Sequence, residues 1–253
     1  MKKNIYLTII WSITIFTIIA GTFYHTTEWG ARFLSRLGLK DNYKTQNFDE
    51  NLNAFDKISL DMDISEIKIT EGSDFHISYE STKNLIPEYE IKNGTLEVIQ
   101  TSKNPYFPKR NGNDNCTIVI TVPKGTSLSD ISCTCDIGEI QLDNLTSENI
   151  FVTCDIGETK LSNLSATDIT CNCNMGECEI SNCSFDNLNA DNNMGDINVN
   201  GNLILSDYTI ECSVSMGEIE VNGNDYHSYN QKGETDKTIT LSNNMGSIEI
   251  EGR

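Results

Sequence analysis

Asp136-Ile137-Gly138-Glu139 is the centre of a pattern that repeats through the second half of the chain. Close or looser copies of these four residues follow, each centred on a glycine. The glycines are Gly138, Gly157, Gly176, Gly195, Gly217 and Gly246. The first three intervals between them are 19 residues each, and the next two are 22 and 29. Self-similarity at a fixed period of this length indicates a solenoid, in which each repeat forms one turn of a stack.

The residues on either side of the glycine alternate between apolar and polar. Before it, Ile131, Cys133, Cys135 and Ile137 occupy every second position, which is the pattern of a strand with one buried face. After it, the apolar positions change parity and resume at Ile140. Because one straight strand cannot turn Ile137 and Ile140 to the same side, we expect a corner at the glycine, where positive φ is accessible.

This repeat predicts an all-β fold, a single-chain β-helix or β-solenoid with rungs of about 19 residues, over residues 52–253. Residues 57–69 fit the same template with Ser65 at the corner, so we interpret them as a divergent first rung. A column of asparagines is expected to form a buried ladder whose side chains bond to corner backbone groups. These asparagines are Asn144, Asn163 and Asn182, and Asn144 also begins a glycosylation sequon.

The N-terminus, residues 1–27, reads as a membrane anchor. Two lysines precede an uncharged apolar run over residues 5–24, which is long enough to span a bilayer. The lysines are expected to stay inside, which predicts a single-pass protein of the cell membrane with an extracytoplasmic C-terminal domain. A cleaved signal peptide is the alternative. Residues 28–51 are predicted to form a juxtamembrane amphipathic helix and a polar linker.

The chain is strongly acidic, and its charge is uneven. The net charge is −19, and residues 126–253 contain 22 acidic but only 4 basic residues. Such a surface does not suit nucleic acid, which requires basic residues. One acidic column follows the corner, and it is either a row of weak divalent-cation sites or a solvated edge that discourages aggregation. Its members in the repeat are Glu139, Glu158, Glu177, Asp196 and Glu218.

Nine cysteines, eight of them in the repeat, admit three interpretations. They are small buried hydrophobes, because most of them fall at inward positions. Disulfides between rungs are the rival, since an exported domain meets oxidising conditions. Zinc is the third interpretation, but Cys133-Thr134-Cys135 and Cys171-Asn172-Cys173 have C-x-C spacing, whereas zinc knuckles use C-x-x-C.

No arrangement of residues typical of catalysis emerges from the sequence, and no cofactor is predicted. The three histidines are scattered, and acidic pairs are too numerous to be informative. The longest insertions in the repeat region are therefore the candidates for ligand contact. These are the loop at residues 103–115 and the insertion at residues 222–237, which holds Tyr226, His227 and Tyr229.

Two stretches resemble a known family. They are the strand and turn "TIVITVPKG" at residues 117–125 and the glycine-cornered strand "CDIGEIQL" at residues 135–142. Together with the N-terminal anchor, they resemble the bacterial putative-adhesin domain family. That resemblance implies a toast-rack-like solenoid of the cell envelope. It offers no catalytic residues to transfer to this chain, and it links similar domains to envelope-stress signalling.

Repeat, charge and resemblance together predict a non-catalytic surface-binding, adhesin-like module. The alternative is a sensory or regulatory partner in a cell-envelope stress response. The expected partners are the membrane, through the N-terminal helix, and an unknown protein or cell-surface polymer. Because the chain ends on a repeat strand, we also expect self-association through an uncapped C-terminal rung.

Overall fold

The computed structural model describes residues 45–101 and 115–253, whose regular structure is strand except for a 3-10 turn at Leu205–Asp207. The predicted anchor and amphipathic helix lie outside the described residues, as does nearly all of the loop predicted over residues 103–115. Within the described ranges, no helix is long and apolar enough to cross a membrane.

Successive repeats form successive turns of a parallel stack, which confirms the predicted solenoid. Strands β7 (Ser127–Asp143), β8 (Thr146–Ser162) and β9 (Ser165–Ser181) pair in parallel with each glycine beside the next. Each turn bends at the glycine, at the asparagine that separates two strands, and near Glu148, where the ladder skips a residue. The turn is thus closed by three corners, and its side chains alternate between core and solvent.

The asparagine column exists, but the reason predicted for it is wrong. Asn144, Asn163 and Asn182 have φ between 52° and 54°, and their side chains are exposed. Asn144 and Asn163 both donate to the Asp143 carboxylate rather than to a buried corner carbonyl. Asparagine occupies this corner because it tolerates the left-handed conformation better than other side chains do.

The first end of the stack contains one turn more than the sequence indicates. Strand β2 (Lys57–Gly72) is the predicted divergent rung, and Ser65 pairs with Gly138 as expected. On its other edge, β5 (Thr95–Gln100) and β6 (Cys116–Pro123) together form a further turn. Strand β5 ends opposite Met62 and the pairing of β6 begins opposite Glu66, so the two strands flank the level of the corner at Ser65.

Antiparallel strands cover this first end. Strand β4 (Glu88–Lys92) pairs with β5, strand β3 (His76–Thr82) pairs with β6, and β1 (Thr45–Asn51) pairs with β3. The polar linker predicted at the end of residues 28–51 is therefore wrong over Thr45–Asn51, which form β1. Its polar composition reflects an exposed edge strand, which Phe48 holds in place by stacking on Tyr79 with ring centroids 5.1 Å apart.

The other end departs from chain order. Strands β10 (Asn187–Met194) and β11 (Ile197–Asn200) form one turn, and β12 (Tyr208–Val221) forms the last. The C-terminal strand β15 (Lys237–Glu251) lies between them, paired with β10 and β11 on one edge and with β12 on the other. The expected uncapped C-terminal rung is therefore a wrong prediction, because both edges of β15 are occupied.

Two short strands close the edge of β12. They are β13 (Asn224–Tyr226) and β14 (Ser228–Gln231), which pair antiparallel with the two halves of β12. Gln231 Nε2 donates to the Leu205 carbonyl at 2.6 Å, and this bond ties the end of β14 to the 3-10 turn at Leu205–Asp207. Antiparallel caps at both ends leave fewer of the parallel turns open to edge-to-edge association.

The core is a set of inward columns of aliphatic and thiol side chains. All nine cysteines are buried and carry free thiols. This arrangement agrees with the interpretation of the cysteines as small buried hydrophobes.

The corner glycines allow the turns to approach more closely than any side chain would permit. The six glycines of the repeat have φ between 130° and 153°. A Cβ added at any of them would lie 1.6–1.8 Å from the carbonyl oxygen of the corner residue in the adjacent turn. Backbone thus packs on backbone along the whole corner, and the predicted role of the glycine is confirmed.

Buried amides satisfy the carbonyl groups that this corner releases from the ladder. Asn192 Nδ2 donates to the Gly176 carbonyl at 2.9 Å, and Asn243 Nδ2 donates to the Gly195 carbonyl at 2.6 Å. In earlier turns, a thiol holds the same position, and Cys154 Sγ lies 3.8 Å from the Gly138 carbonyl. A thiol is a weak donor, so the asparagine turns have the stronger bond.

Replacement of Asn192 by alanine is expected to lower the free energy of unfolding by about 2 kcal/mol, because it leaves a buried carbonyl without its donor. Chemical denaturation monitored by circular dichroism measures the change. Asn189→Ala, at an exposed position of the same strand, is the control and should change stability by less than about 0.5 kcal/mol. Equal losses in the two variants would contradict this role.

Candidate binding face along the glycine corner

The residue before five of the six corner glycines is exposed and Ile137, before the first, is half-buried, although the sequence pattern placed all of them in the core. Ile156, Met175, Met194, Met245 and Met216 are between 41% and 60% exposed. The strand register joins them into one continuous row, here called the corner stripe. In stacking order it consists of Ile64, Ile137, Ile156, Met175, Met194, Met245 and Met216.

The glycine conformation explains why the stripe faces solvent. In β8, Cys154 is the last inward residue before the corner and Thr159 is the first inward residue after it. The four residues between them pass around the outside of the bend, so Ile156 cannot reach the core. Adjacent strands are about 4.8 Å apart, and seven residues therefore extend over roughly 29 Å. Contiguous exposed apolar surface of this kind marks interaction sites.

The predicted cation column lies beside the stripe, and protein groups already contact most of its carboxylates. Lys160 Nζ is 3.2 Å from Glu139 and 2.9 Å from Glu158, and its pKa is raised, first by the hydrogen bond to Glu158. Asn198 donates to Glu177 at 2.8 Å. These donors reduce the repulsion that a row of carboxylates would otherwise create.

The far end of the column differs from the prediction. Ser247 lies between Asp196 and Glu218 because β15 is inserted there. Its backbone N–H and hydroxyl both donate to Asp196 Oδ1, at 2.8 and 2.6 Å. The evenly spaced carboxylate row expected from the sequence is therefore interrupted.

A second polar column borders the other side of the stripe. It begins with acids, and desolvation followed by the charges of Asp63 and Asp155 raises the pKa of Asp136. It continues as an amide ladder, in which Asn193 donates to Asn174 at 3.0 Å and Asn244 donates to Asn193 at 2.6 Å. These residues line part of a shallow depression of about 470 Å³ on the wall of the stack.

The predicted ligand residues lie in the cap that covers β12. Tyr226 packs edge-on against Tyr229 with ring centroids 4.8 Å apart, and Tyr229 donates to Gln231 Oε1 at 2.8 Å. His227 is exposed between the two cap strands. The tyrosine contacts fit a structural role in the cap, and this cap lies at the end of the corner stripe.

The sequence matches one family model. The model of the toastrack DUF4097 family covers residues 55–251. The chain belongs to the toastrack DUF4097 family. The resemblance to an uncharacterised adhesin-like family is thereby confirmed.

Two solved structures are similar to this toastrack domain at low sequence identity. A putative cell adhesion protein from Clostridium sporogenes is 14% identical, covers 83% of this chain and 100% of its own, and gives a TM-score of 0.47. A putative adhesin from Bacteroides fragilis is 16% identical, covers 81% of this chain and 96% of its own, and gives a TM-score of 0.37. No curated protein matches the sequence.

The corner stripe of this toastrack domain is the feature that sequence reasoning missed. Its residues have the same alternation as the core, and that alternation alone assigns them inward. The sequence nevertheless contained a signal. In each repeat the stripe residue follows a polar residue such as Asp136, and after the glycine comes another polar residue such as Glu139. An apolar residue between polar columns at a bend is a candidate for exposure.

Proposed function

We propose that this toastrack protein is a membrane-anchored, extracytoplasmic and non-catalytic binding module of the adhesin type, and that it binds through the corner stripe. The observation that supports this proposal most directly is the row of five consecutive exposed side chains, one isoleucine and four methionines, within the corner stripe. Unbranched methionine adapts to irregular partner surfaces, which suits a binding face. The proposed anchor is the apolar segment at residues 5–24.

The proposed partner is a protein surface with apolar side chains flanked by basic ones. Carboxylates of Asp136 and Asp155 border one side of the stripe, and those of Glu139, Glu158 and Glu177 border the other. A basic partner would complement this pattern and associate faster for it. Anionic lipid and a second copy of the same acidic face are disfavoured by like-charge repulsion.

Photo-crosslinking from the position of Met175 in intact cells tests the proposal. We expect capture of a defined protein, whose purified form binds the full-length toastrack protein saturably and more weakly as salt is raised. Replacing both Met175 and Met194 by serine should weaken this binding by at least about 10-fold, since both are central to the stripe. Unchanged affinity in this variant would contradict the proposed face.

Matched controls lie elsewhere on the surface. Phe151→Ser and Ile204→Ser remove side chains that are 43% and 52% exposed but outside the stripe, and they should leave binding unchanged. The identity of the captured molecule distinguishes the functions. A surface protein of another cell supports adhesion, a membrane regulator supports envelope-stress sensing, and a wall polymer excludes the proposed protein partner.

A further inference from the structure

Three thiols of a single turn meet inside the core at the Gly176 corner. Cys171 and Cys173 reach inward from the side before the corner, and Cys178 reaches inward from the side after it. Cys171 Sγ lies 2.8 Å from Cys178 Sγ and 3.9 Å from Cys173 Sγ. All three sulfur atoms lie within 4.8 Å of one another, and all three residues are buried. We call this set the trithiol cluster.

Small, polar and aliphatic groups are stacked on the cluster, and Val152 and Ile197 are the aliphatic neighbours of Cys171 and Cys178. Ala190 lies directly above Cys171 in the next turn, where other turns have leucine, valine or cysteine. Thr159 lies directly below Cys178, and its Oγ1 is 3.7 Å from Cys173 Sγ. The cluster therefore has one short side chain and one hydroxyl group among the side chains stacked on it.

Other described turns do not bring three thiols together. In β7, Cys133 and Cys135 occupy the places of Cys171 and Cys173, but Ile140 occupies the place of Cys178. The convergence thus depends on one residue, and the repeat supplies its own comparison for each member of the cluster.

The cluster borders the surface at a single thiol. Cys173 is 6% exposed and contributes to the lining of the polar depression described above, together with Asp155 and Asn174. An ion that enters from this depression therefore meets the sulfur atom of Cys173 first.

We propose that the trithiol cluster is a binding site for a soft monovalent cation, Cu(I), held by the sulfur atoms of Cys171, Cys173 and Cys178. Soft thiolate ligands select Cu(I) over hard cations. An ion bonded to three coplanar sulfurs at about 2.3 Å holds them about 4 Å apart, close to the separation of Cys171 and Cys173. Binding requires Cys178 Sγ to move away from Cys171 Sγ, and thiol protons pass to solvent as the ion enters.

The geometry favours Cu(I) over zinc. Zinc in proteins takes four ligands in a tetrahedron. The three sulfurs of the cluster lie within 4.8 Å of one another, and among the described residues no histidine, carboxylate or further cysteine joins that group. A three-coordinate ion that bonds strongly to sulfur matches this donor set.

Titration of the full-length reduced protein with Cu(I), under anaerobic conditions and against a chromophoric Cu(I) chelator, tests the site. We expect one tightly bound Cu(I) per chain, with X-ray absorption showing three sulfur neighbours. The repeat suggests substitutions that suit the fold: Cys171→Val copies Val152, Cys173→Asn copies Asn192, and Cys178→Ile copies Ile140. Each should weaken binding at least about 100-fold, because it removes a direct ligand.

Cys133→Val is the matched control, since it replaces a thiol in the same column of a turn without a cluster, and its affinity should equal that of the wild type. Ile140→Cys should create a second site in β7 and raise the bound Cu(I) to two per chain. Three results would overturn the proposal: equal loss in the control and cluster variants, one ion in Ile140→Cys, or a Cys171–Cys178 disulfide in protein isolated from cells.

Discussion

Gly157→Ala should abolish or nearly abolish folding, with an expected loss of about 4 kcal/mol or more in the free energy of unfolding. Gly157 has φ of +145°, which alanine strongly disfavours, and the added Cβ would lie 1.7 Å from the Gly138 carbonyl oxygen. Relief of that contact requires two adjacent turns to separate, which breaks the ladder on both sides of the corner. Urea denaturation monitored by circular dichroism measures the loss, and insolubility of the variant under native conditions agrees with it.

Gly125→Ala separates the cost of positive φ from the cost of the steric contact with the adjacent turn. Gly125 also has positive φ, at +78°, but no atom lies within 4 Å of the place where its Cβ would stand. Its substitution should therefore show the conformational cost alone, about 1 kcal/mol. If Gly125→Ala and Gly157→Ala destabilise the protein equally, close backbone packing at the corner is not what requires glycine.

The second large effect is expected at alkaline pH under reducing conditions. Burial raises the pKa of Cys133, Cys154 and Cys212 to about 12, and that of Cys135 and Cys183 to about 11, from an ordinary value of 9.0. The folded state thus retains thiol protons that the unfolded chain loses. These thiols contribute full stability below pH 9, and stability falls as pH rises from about 9 towards 11–12.

The expected slope is steep. Each thiol lowers the free energy of unfolding by about 1.4 kcal/mol per pH unit in this window. Five thiols together therefore lower it by about 7 kcal/mol per pH unit. Because domain stabilities are about 5–15 kcal/mol, the reduced protein should unfold near pH 10–11. Urea midpoints measured between pH 7 and 11 give the slope directly.

Valine variants identify the thiols as the cause. Val152 and Val214 already occupy the two columns to which Cys133, Cys154 and Cys212 belong, so valine fits there. The variant with all three replaced should lose stability above pH 9 at less than half the wild-type slope. If the triple variant and the wild type show the same alkaline midpoint, the thiols do not govern this transition.

The exposure of the corner stripe and the convergence of the trithiol cluster were not predicted from the sequence. Alternation with a period of two assigned Ile137 and Met175 to the core, because a linear pattern cannot show that a bend moves one position outward. The trithiol cluster combines positions before and after the corner, and the sequence shows only that Cys173 and Cys178 are five residues apart. Their convergence depends on the angle of the bend.

The sequence alone determined the repeating turn: its period, its glycine corner and most of its inward columns, because each depends on local spacing that neighbouring turns share. It also determined the first four carboxylates of the acidic column beside the corner, because these turns stack in chain order, whereas the tertiary structure placed Ser247 between Asp196 and Glu218. Only the tertiary structure decided the order of turns at the two ends, where β15 enters between β10 and β12 and antiparallel strands form the caps. The positions of these strands depend on which strand edges are still unpaired when they pack. Because their partners are far apart in the chain, no repeat in the sequence indicates the pairing.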